Sequence, residues 1–327
     1  MNTEIAEIMS KDGTMLDWAA KVAYQNVLSA EEKEISECID AWARELGKTG
    51  FDKDHEISQM VRKALTRESV MAPSEVISMI FDELSIGEAD DWRGEKAPKN
   101  TIQVVENGLG ANVDASFVDH TKIVPTWHKL QARTYVTLAD LRNNGYKTIA
   151  NLLSNIRDAL ENQKIVKMLN AVDTAITKSI TESGTAPTAT SADALAVYLH
   201  DVSDGAECSF VTKNAYATAI SVLDGARSMA TDSQKNQFNK TGIVEYYAGC
   251  RLFGLSGTKK TGAGDLIIPD KRVFGFAGKI GNAITRGENI VLQDTDSGSE
   301  RINIKVSGYE FGTAIDDIEK VAKIVVA

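Results

Sequence analysis

The sequence predicts an α+β protein in which helices come first and a mixed body of strands and helices follows. Three observations carry this prediction. The first part of the chain repeats apolar side chains at helical spacing. From Tyr146, about thirty residues contain neither Pro nor Gly, as a long helix requires. In the last third of the chain, short β-branched runs alternate with glycine turns, which is typical of strands.

A string of amphipathic helices is predicted at the N-terminus. Ser29 and Glu32 form a capping-box pattern at the start of one helix, which is predicted to end at Gly47. Further apolar stripes run over residues 57–65 and 76–84. Each stripe must be buried, either against the other helices or against a neighbouring subunit.

A β-hairpin is predicted after these helices. A polar segment containing Gly94 and Pro98 breaks the helical pattern. The runs TIQVV and NVDASFV then surround a glycine-rich turn between Thr101 and Pro125. Two strand-like runs around such a turn favour a hairpin, and its length favours one that projects.

The longest predicted helix runs from Tyr146 to about Ile176 and would be a rod of roughly 45 Å. Its apolar residues form two stripes that lie roughly 150° apart around the helix. Such a helix contacts different parts of the protein at its two ends and would connect them. The stripes are Ile149, Leu152, Leu153, Ile156 and Leu160, then Ile165, Met168, Leu169, Val172 and Ile176.

The sequence after the long helix predicts a mixed α/β region. A Thr/Ser-rich surface loop leads to a short helix capped by Ser191. A buried strand is predicted from Cys208 to Thr212 and a helix from Lys213 to Ala230. The run that begins at Arg301 alternates apolar and polar residues, as a half-exposed strand does.

Composition narrows the possible functions. The 327 residues include 36 Lys and Arg against 46 Asp and Glu, which gives a net charge of −10 and argues against general binding of nucleic-acid backbones. Cys38, Cys208 and Cys250 lie far apart and form neither a disulfide framework nor a CxxC metal motif. We expect no signal peptide and no membrane helix, because no basic leader and no apolar run of about 18 residues is present.

Three short segments resemble catalytic or metal-binding motifs, but none of them has the residue spacing that the motif requires. Residues 257–262 resemble a phosphate loop, but the Lys that should follow the second Gly is missing. Residues 294–298 place the Gly of a calcium loop one position early. Residues 254–257 are one residue short of the nucleophile motif GxSxG. The sequence therefore predicts no catalytic residue, no cofactor and no metal, and a protein that is not an enzyme.

From residue 101 to the end, the order of hairpin, long helix and α/β body resembles the major capsid proteins of tailed double-stranded-DNA bacteriophages, the Hong Kong 97 fold. The C-terminal run RINIKVSGYEFGTAIDDIEKVAKIVVA resembles the strand pair that closes that fold. In the family a projecting hairpin, the E-loop, leads into the spine helix of a peripheral domain. An axial domain gathers around the centre of the capsomer.

The resemblance implies five segments. They are a helical N-terminal region (1–98), the E-loop hairpin (99–136), the peripheral domain with its spine helix (137–190), the axial domain (191–276), and the return strands of the peripheral domain with a terminal axial strand (277–327). The N-terminal region fits the family less well. It is an arm, a scaffold-like segment that a protease removes, or an added decoration.

The resemblance also implies a structural function: a major capsid subunit that self-assembles as hexamers and pentamers into an icosahedral shell around the phage genome. Its implied partners are copies of itself, scaffolding and portal proteins, and double-stranded DNA that it encloses without sequence-specific binding, with no membrane involved. It would belong to the virion and assemble in the host cytoplasm. The alternatives are an encapsulin-like nanocompartment shell and an enzyme whose site forms only in space.

Rings of subunits join one face of each subunit to a different face of the next and commonly bury about 2,000 Å² or more. Large apolar side chains on the hairpin and the N-terminal helices are the candidates for this contact. They are Val104, Val105, Phe117 and Val118 on the hairpin and Trp18, Trp42 and Phe81 on the helices. The alternative for all seven is packing in the core of their own subunit.

Overall fold

Two β-sheets, one of five strands and one of six, organise the part of the chain that the structure describes. A computed structural model describes residues 14–51, 55–65, 74–87, 90, 92–95, 122–223, 238, 241–261, 264–287 and 290–327. A separate short ladder pairs Gly94–Glu95 (β2) with Lys122–Ile123 (β3) in antiparallel fashion.

The described part of the N-terminal region contains four helices. The predicted capping box is present, since the backbone N–H groups of Ser29 and Glu32 each donate to the other residue's side chain, over 2.8 and 3.3 Å. The predicted end at Gly47 is wrong by two residues. Gly47 stays helical and lies so close to Arg142 that a Cβ there would be 2.7 Å from its Cγ. The helices are Thr14–Ala23 (α1), Ala30–Thr49 (α2), His55–Ala64 (α3) and Glu75–Ile80 (α4).

The helix predicted through Leu84 ends earlier. α4 ends at Ile80, and Asp82–Ser85 forms a strand (β1) that pairs in parallel with Gly281–Arg286 (β10). This pairing satisfies the backbone groups of residues 82–85 that face β10, so tertiary structure overrides the helical spacing of the sequence.

The five-stranded sheet, here called the first sheet, is built around Arg301–Ile315 (β12). One edge of β12 pairs with Ile290–Asp296 (β11) and then with β10. The other edge pairs with Thr126–Thr137 (β4). Residues 126–136, which the sequence assigned to the hairpin, therefore pair with β12 instead, because the long return strand supplies a partner for them.

The predicted long helix is present as Tyr146–Ala175 (α6), directly after the short helix Leu138–Asn144 (α5). Gly145 separates the two with φ of +47°, a conformation that favours glycine. Every residue of both predicted apolar stripes is buried. α6 packs against α1, α2 and α4 and also against β4 and β12, so it has neighbours in several directions.

The six-stranded sheet, here called the second sheet, is formed by Ser179–Glu182 (β5), Cys208–Lys213 (β6), Tyr246–Tyr247 (β7), Cys250–Leu255 (β8), Arg272–Ala277 (β9) and Val321–Val326 (β13). The strand order is β5-β13-β9-β6-β8-β7. The last strand of the chain, β13, therefore lies inside this sheet between β5 and β9.

Three predictions in this part of the chain need correction. The Thr/Ser-rich segment is not all loop, because β5 pairs with β13. The helix Ala189–Val202 (α7) is capped by Thr188, with Ser191 as the other half of the capping box. The helix predicted to reach Ala230 is present as Asn214–Ser221 (α8), and residues 224–230 lie outside the described part.

The second sheet is buried on both faces. Along β9, Val273 packs with Phe210 in the core shared with α7 and α8, whereas Phe274 and Phe276 pack in the core that contains α6. Successive strand residues face opposite sides, so an unbroken apolar run of this kind marks a sheet covered twice. No helix among the described residues is long and apolar enough to cross a membrane.

Candidate functional site

A metal site is not found among the described residues. Within them, no group of three or more His, Cys, Asp and Glu side chains is arranged to hold a metal ion. Of the four histidines, His55, His128 and His200 lie on α3, β4 and α7, and His120 lies outside the described part. A groove of about 430 Å³ between β4 and α6 is lined mainly by amide and cationic side chains, without a carboxylate, imidazole or thiol.

Trp18, Trp42 and Phe81, three of the predicted interface residues, are buried within the chain itself. The indole N–H of Trp18 donates to Ser36 Oγ over 3.0 Å. The indole N–H of Trp42 donates to Glu56 Oε2 over 2.8 Å. These side chains therefore pack in their own subunit, which is the second interpretation that the sequence left open.

The four predicted hairpin residues, Val104, Val105, Phe117 and Val118, lie outside the described residues, and their interface role stays a prediction. The described residues on either side of this segment are informative. β2 and β3 pair Gly94 with Ile123, so the chain enters and leaves the segment side by side.

A surface that the sequence analysis missed lies on the first sheet. Tyr135, Ile290 and Leu292 are each more than half exposed. Strand register places Leu292 opposite Lys305, and Lys305 opposite Arg133. Opposite residues in an antiparallel pair point to the same face, so these five side chains share one side of the sheet. We call these residues the outer sheet face.

The outer sheet face combines apolar and cationic groups, and the exposed Asp294 and Asp296 follow on the same side of β11. The Arg301 guanidinium lies 4.6 Å from the centroid of the Tyr135 ring, a cation–π contact at the rim of this surface. Exposed apolar side chains rimmed by charge are typical of protein–protein contact sites.

One signal in the sequence could have located this surface. Ile290, Val291 and Leu292 are consecutive apolar residues in a strand. Because alternate residues face opposite sides, such a run must place apolar side chains on both faces. Val291 is only partly exposed and packs against the core, while its two neighbours face outward.

Polar contacts join the N-terminal helices to the rest of the fold. The Tyr24 hydroxyl donates to Asp158 on α6 over 2.8 Å, and this contact, with burial, raises the pKa of Tyr24. Arg251 on β8 pairs with Glu75 on α4 over 3.0 Å. The N-terminal helices are thus held to the long helix and to the second sheet.

Buried Lys164 on α6 and half-buried Glu83 on β1 interact electrostatically. Burial lowers the pKa of Lys164, and the negative charges of Glu83 and Glu161 oppose this shift. Burial likewise raises the pKa of Glu83, and Lys164 opposes it. Each charge therefore stabilises the other where α4 and β1 meet the long helix.

Comparison with known proteins gives the fold. No protein-family model matches the chain, and no curated protein sequence matches it. Many solved chains match, including three that match over most of their length. A capsid chain of a native GTA particle is 14% identical with a TM-score of 0.55, covering 76% of this chain and 88% of that chain.

A chain of Gordonia phage Cozz is 10% identical with a TM-score of 0.52, covering 79% of this chain and 92% of that chain. A chain of Mycobacterium phage Ogopogo is 12% identical with a TM-score of 0.53, covering 78% and 92%. This chain shares their fold, and the α+β phage-capsid fold predicted from the sequence is confirmed.

Proposed function

We propose that this chain is a major capsid subunit, a structural protein that self-assembles as hexamers and pentamers into an icosahedral shell around a phage genome. The observation that carries the proposal is the fold shared with the capsid chain of the GTA particle over 76% of this chain. The two phage chains share the same fold over 78% or more of it.

The described surface supports assembly. The outer sheet face leaves Ile290 and Leu292 about half exposed on one strand, and a ring neighbour would remove this apolar area from water. Ring contacts are heterologous, so the outer sheet face would meet a different face of the next copy. The segment between β2 and β3, which carries the predicted hairpin residues, would supply a second contact.

Such a subunit would work with scaffolding and portal proteins during assembly in the host cytoplasm and would end as part of the virion. Its net charge of −10 supports enclosure of double-stranded DNA without sequence-specific binding, because tight binding of phosphate backbones needs clustered positive charge. The proposed work is mechanical and requires no catalytic residue.

We also propose that the mature subunit keeps its N-terminal helices. Trp18, Ile39 and Ile57 are fully buried and belong to the same hydrophobic core as α6 and the first sheet. Removal of these helices would expose that core to water, at a cost of about 1.5–3 kcal/mol for each large side chain.

Electron microscopy of the purified, expressed chain tests the function. Hollow shells, hexameric rings or tubes support a shell subunit. The content of the shells separates the two shell functions, because packaged DNA indicates a capsid, whereas protein cargo indicates a nanocompartment. A monomer that turns over a substrate would contradict both.

A further inference from the structure

Two thiols lie side by side at the starts of two neighbouring strands. Cys208 begins β6 and Cys250 begins β8, and these strands are parallel, with Ser209 opposite Arg251. The two cysteines therefore precede a matched pair in the ladder. Neighbouring strands lie about 4.8 Å apart. This spacing falls within the roughly 4.4–6.8 Å between Cα atoms that a disulfide spans.

Both thiols point into the same core. Cys208 and Cys250 are buried in the cluster that α7, α8 and the second sheet share. Burial, followed by the neighbouring Cys208 thiol, raises the pKa of Cys250 to about 12. Burial also raises the pKa of Cys208. Both cysteines are free, and each thiol influences the pKa of the other, so the two sulfurs are close enough to form the reduced state of a dithiol pair.

His200 on α7 contacts both sulfurs. Its Nδ1 lies 3.9 Å from Cys208 Sγ, and its Nε2 lies 3.8 Å from Cys250 Sγ. The tight turn before β8 fixes the position of the imidazole ring, because Nε2 also lies 2.8 Å from the carbonyl oxygen of Ala248. Gly249, with φ of +82°, passes so close that a Cβ would lie 3.2 Å from the ring. Because His200 is exposed, it connects the buried thiols to solvent.

We propose that Cys208 and Cys250 are a redox-active dithiol, which hydrogen peroxide oxidises to a disulfide between β6 and β8 while His200 accepts the thiol proton. This inference does not depend on the proposed shell function.

The reaction balances as two steps. His200 Nε2 donates to the Ala248 carbonyl, so its Nδ1 takes the proton of the Cys208 thiol. The Cys208 thiolate attacks a peroxide oxygen, the O–O bond breaks, and the departing hydroxide takes that proton from His200 to become water. The resulting sulfenic acid is attacked by the second thiol, the S–S bond forms, and a second water leaves. Two electrons pass from the sulfurs to the peroxide, and two thiols and one peroxide become one disulfide and two waters.

The disulfide would link β6 to β8 and close residues 208–250 into a covalent loop. This loop would lower the conformational entropy of the unfolded chain. Glutathione in a reducing cell would keep both thiols reduced, and an oxidising medium would favour the disulfide. The oxidised chain would therefore unfold at a higher temperature than the reduced chain.

Peptide mass mapping of the full chain tests the proposal. The purified protein is treated with peroxide, unfolded, alkylated and digested without reductant. The expected result is a linked pair of peptides that carries Cys208 and Cys250, with Cys38 alkylated as the internal control. Alkylation of both Cys208 and Cys250, separate sulfinic acids on them, or linkage of either to Cys38 would overturn it.

Two variants sharpen the test. His200→Gln keeps a hydrogen-bonding side chain but removes the base, and it should slow oxidation at pH 7 by about tenfold or more. The difference should shrink at alkaline pH, where hydroxide removes the thiol proton directly. An unchanged rate would refute the role of His200. Cys250→Ser should abolish the linked peptide, and if this variant fails to fold, the wild-type peptide map alone decides.

Discussion

The phenol of Tyr309 donates a buried hydrogen bond of 3.2 Å to the backbone carbonyl of Leu65, which lies 244 residues earlier in the chain. Tyr309 belongs to β12, the central strand of the first sheet, and Leu65 directly follows α3. The N-terminal helices are therefore an integral part of the fold rather than a loosely attached extension.

Tyr309→Phe should destabilise the unassembled subunit by about 1 kcal/mol, because it removes a buried donor and leaves the Leu65 carbonyl short of one partner. Denaturant unfolding measures this change. Tyr135→Phe is the matched control, since the Tyr135 side chain is 53% exposed and should change stability little. Equal effects of the two variants would contradict the assigned contact.

Trp18→Ala should destabilise the unassembled subunit by about 3–5 kcal/mol, since a fully buried indole would leave a cavity. Val27→Ala, at a side chain that is 93% exposed, should cost less than about 0.5 kcal/mol. Thermal unfolding of dilute subunits measures both. A Trp18→Ala variant of normal stability that fails to assemble would instead place Trp18 at a subunit contact.

Asp316→Asn should change how stability depends on pH. Burial raises the pKa of Asp316, and the nearby Asp82 and Asp317 raise it further. A carboxyl with a raised folded-state pKa contributes stability below its unfolded value of 3.8, and this contribution is lost as the pH rises through the raised pKa.

The Asn variant avoids that loss, so it should match the wild type near pH 3 and exceed it at pH 7 by about 1 kcal/mol or less. Denaturant unfolding at the two pH values measures the difference. A variant that is less stable than the wild type at pH 7 would show that the Asp316 carboxylate stabilises the fold.

Leu292→Asp should fold normally but raise the concentration needed for particle formation by about tenfold or more, because a ring contact cannot bury the new charge without cost. Leu292→Val is the matched control and should assemble nearly as well as the wild type. Light scattering measures assembly, and circular dichroism measures folding. Normal assembly of Leu292→Asp would remove the outer sheet face from the subunit contact.

Assembled particles should contain chains with intact N-terminal helices, because Trp18 and Ile39 are part of the central core. Mass spectrometry of the particles measures the chain length. Loss of the helical N-terminal region from mature particles would contradict retention.

Local signals predicted the long helix well. The absence of Pro and Gly and the apolar spacing placed its start at Tyr146, and the Ser29 and Glu32 pair located the start of α2. Leu84 and residues 179–182 were misassigned because their strand partners, β10 and β13, lie far away in the sequence. Helical spacing or polarity within one segment carries no information on such distant pairing.

The candidate surface was predicted less well than the fold. Trp18 and Phe81 are large and apolar, but size alone does not separate a core residue from an interface residue. The position of Leu292 beside Lys305 depends on strand register, which a single sequence does not specify.

Sedimentation velocity of the purified full chain tests the central claim most directly. A self-assembling shell subunit should show, in a concentration-dependent way, species that sediment far faster than a 35.4 kDa monomer, up to closed particles. A single 35.4 kDa species at every concentration, including with scaffolding protein added, would contradict the shell function.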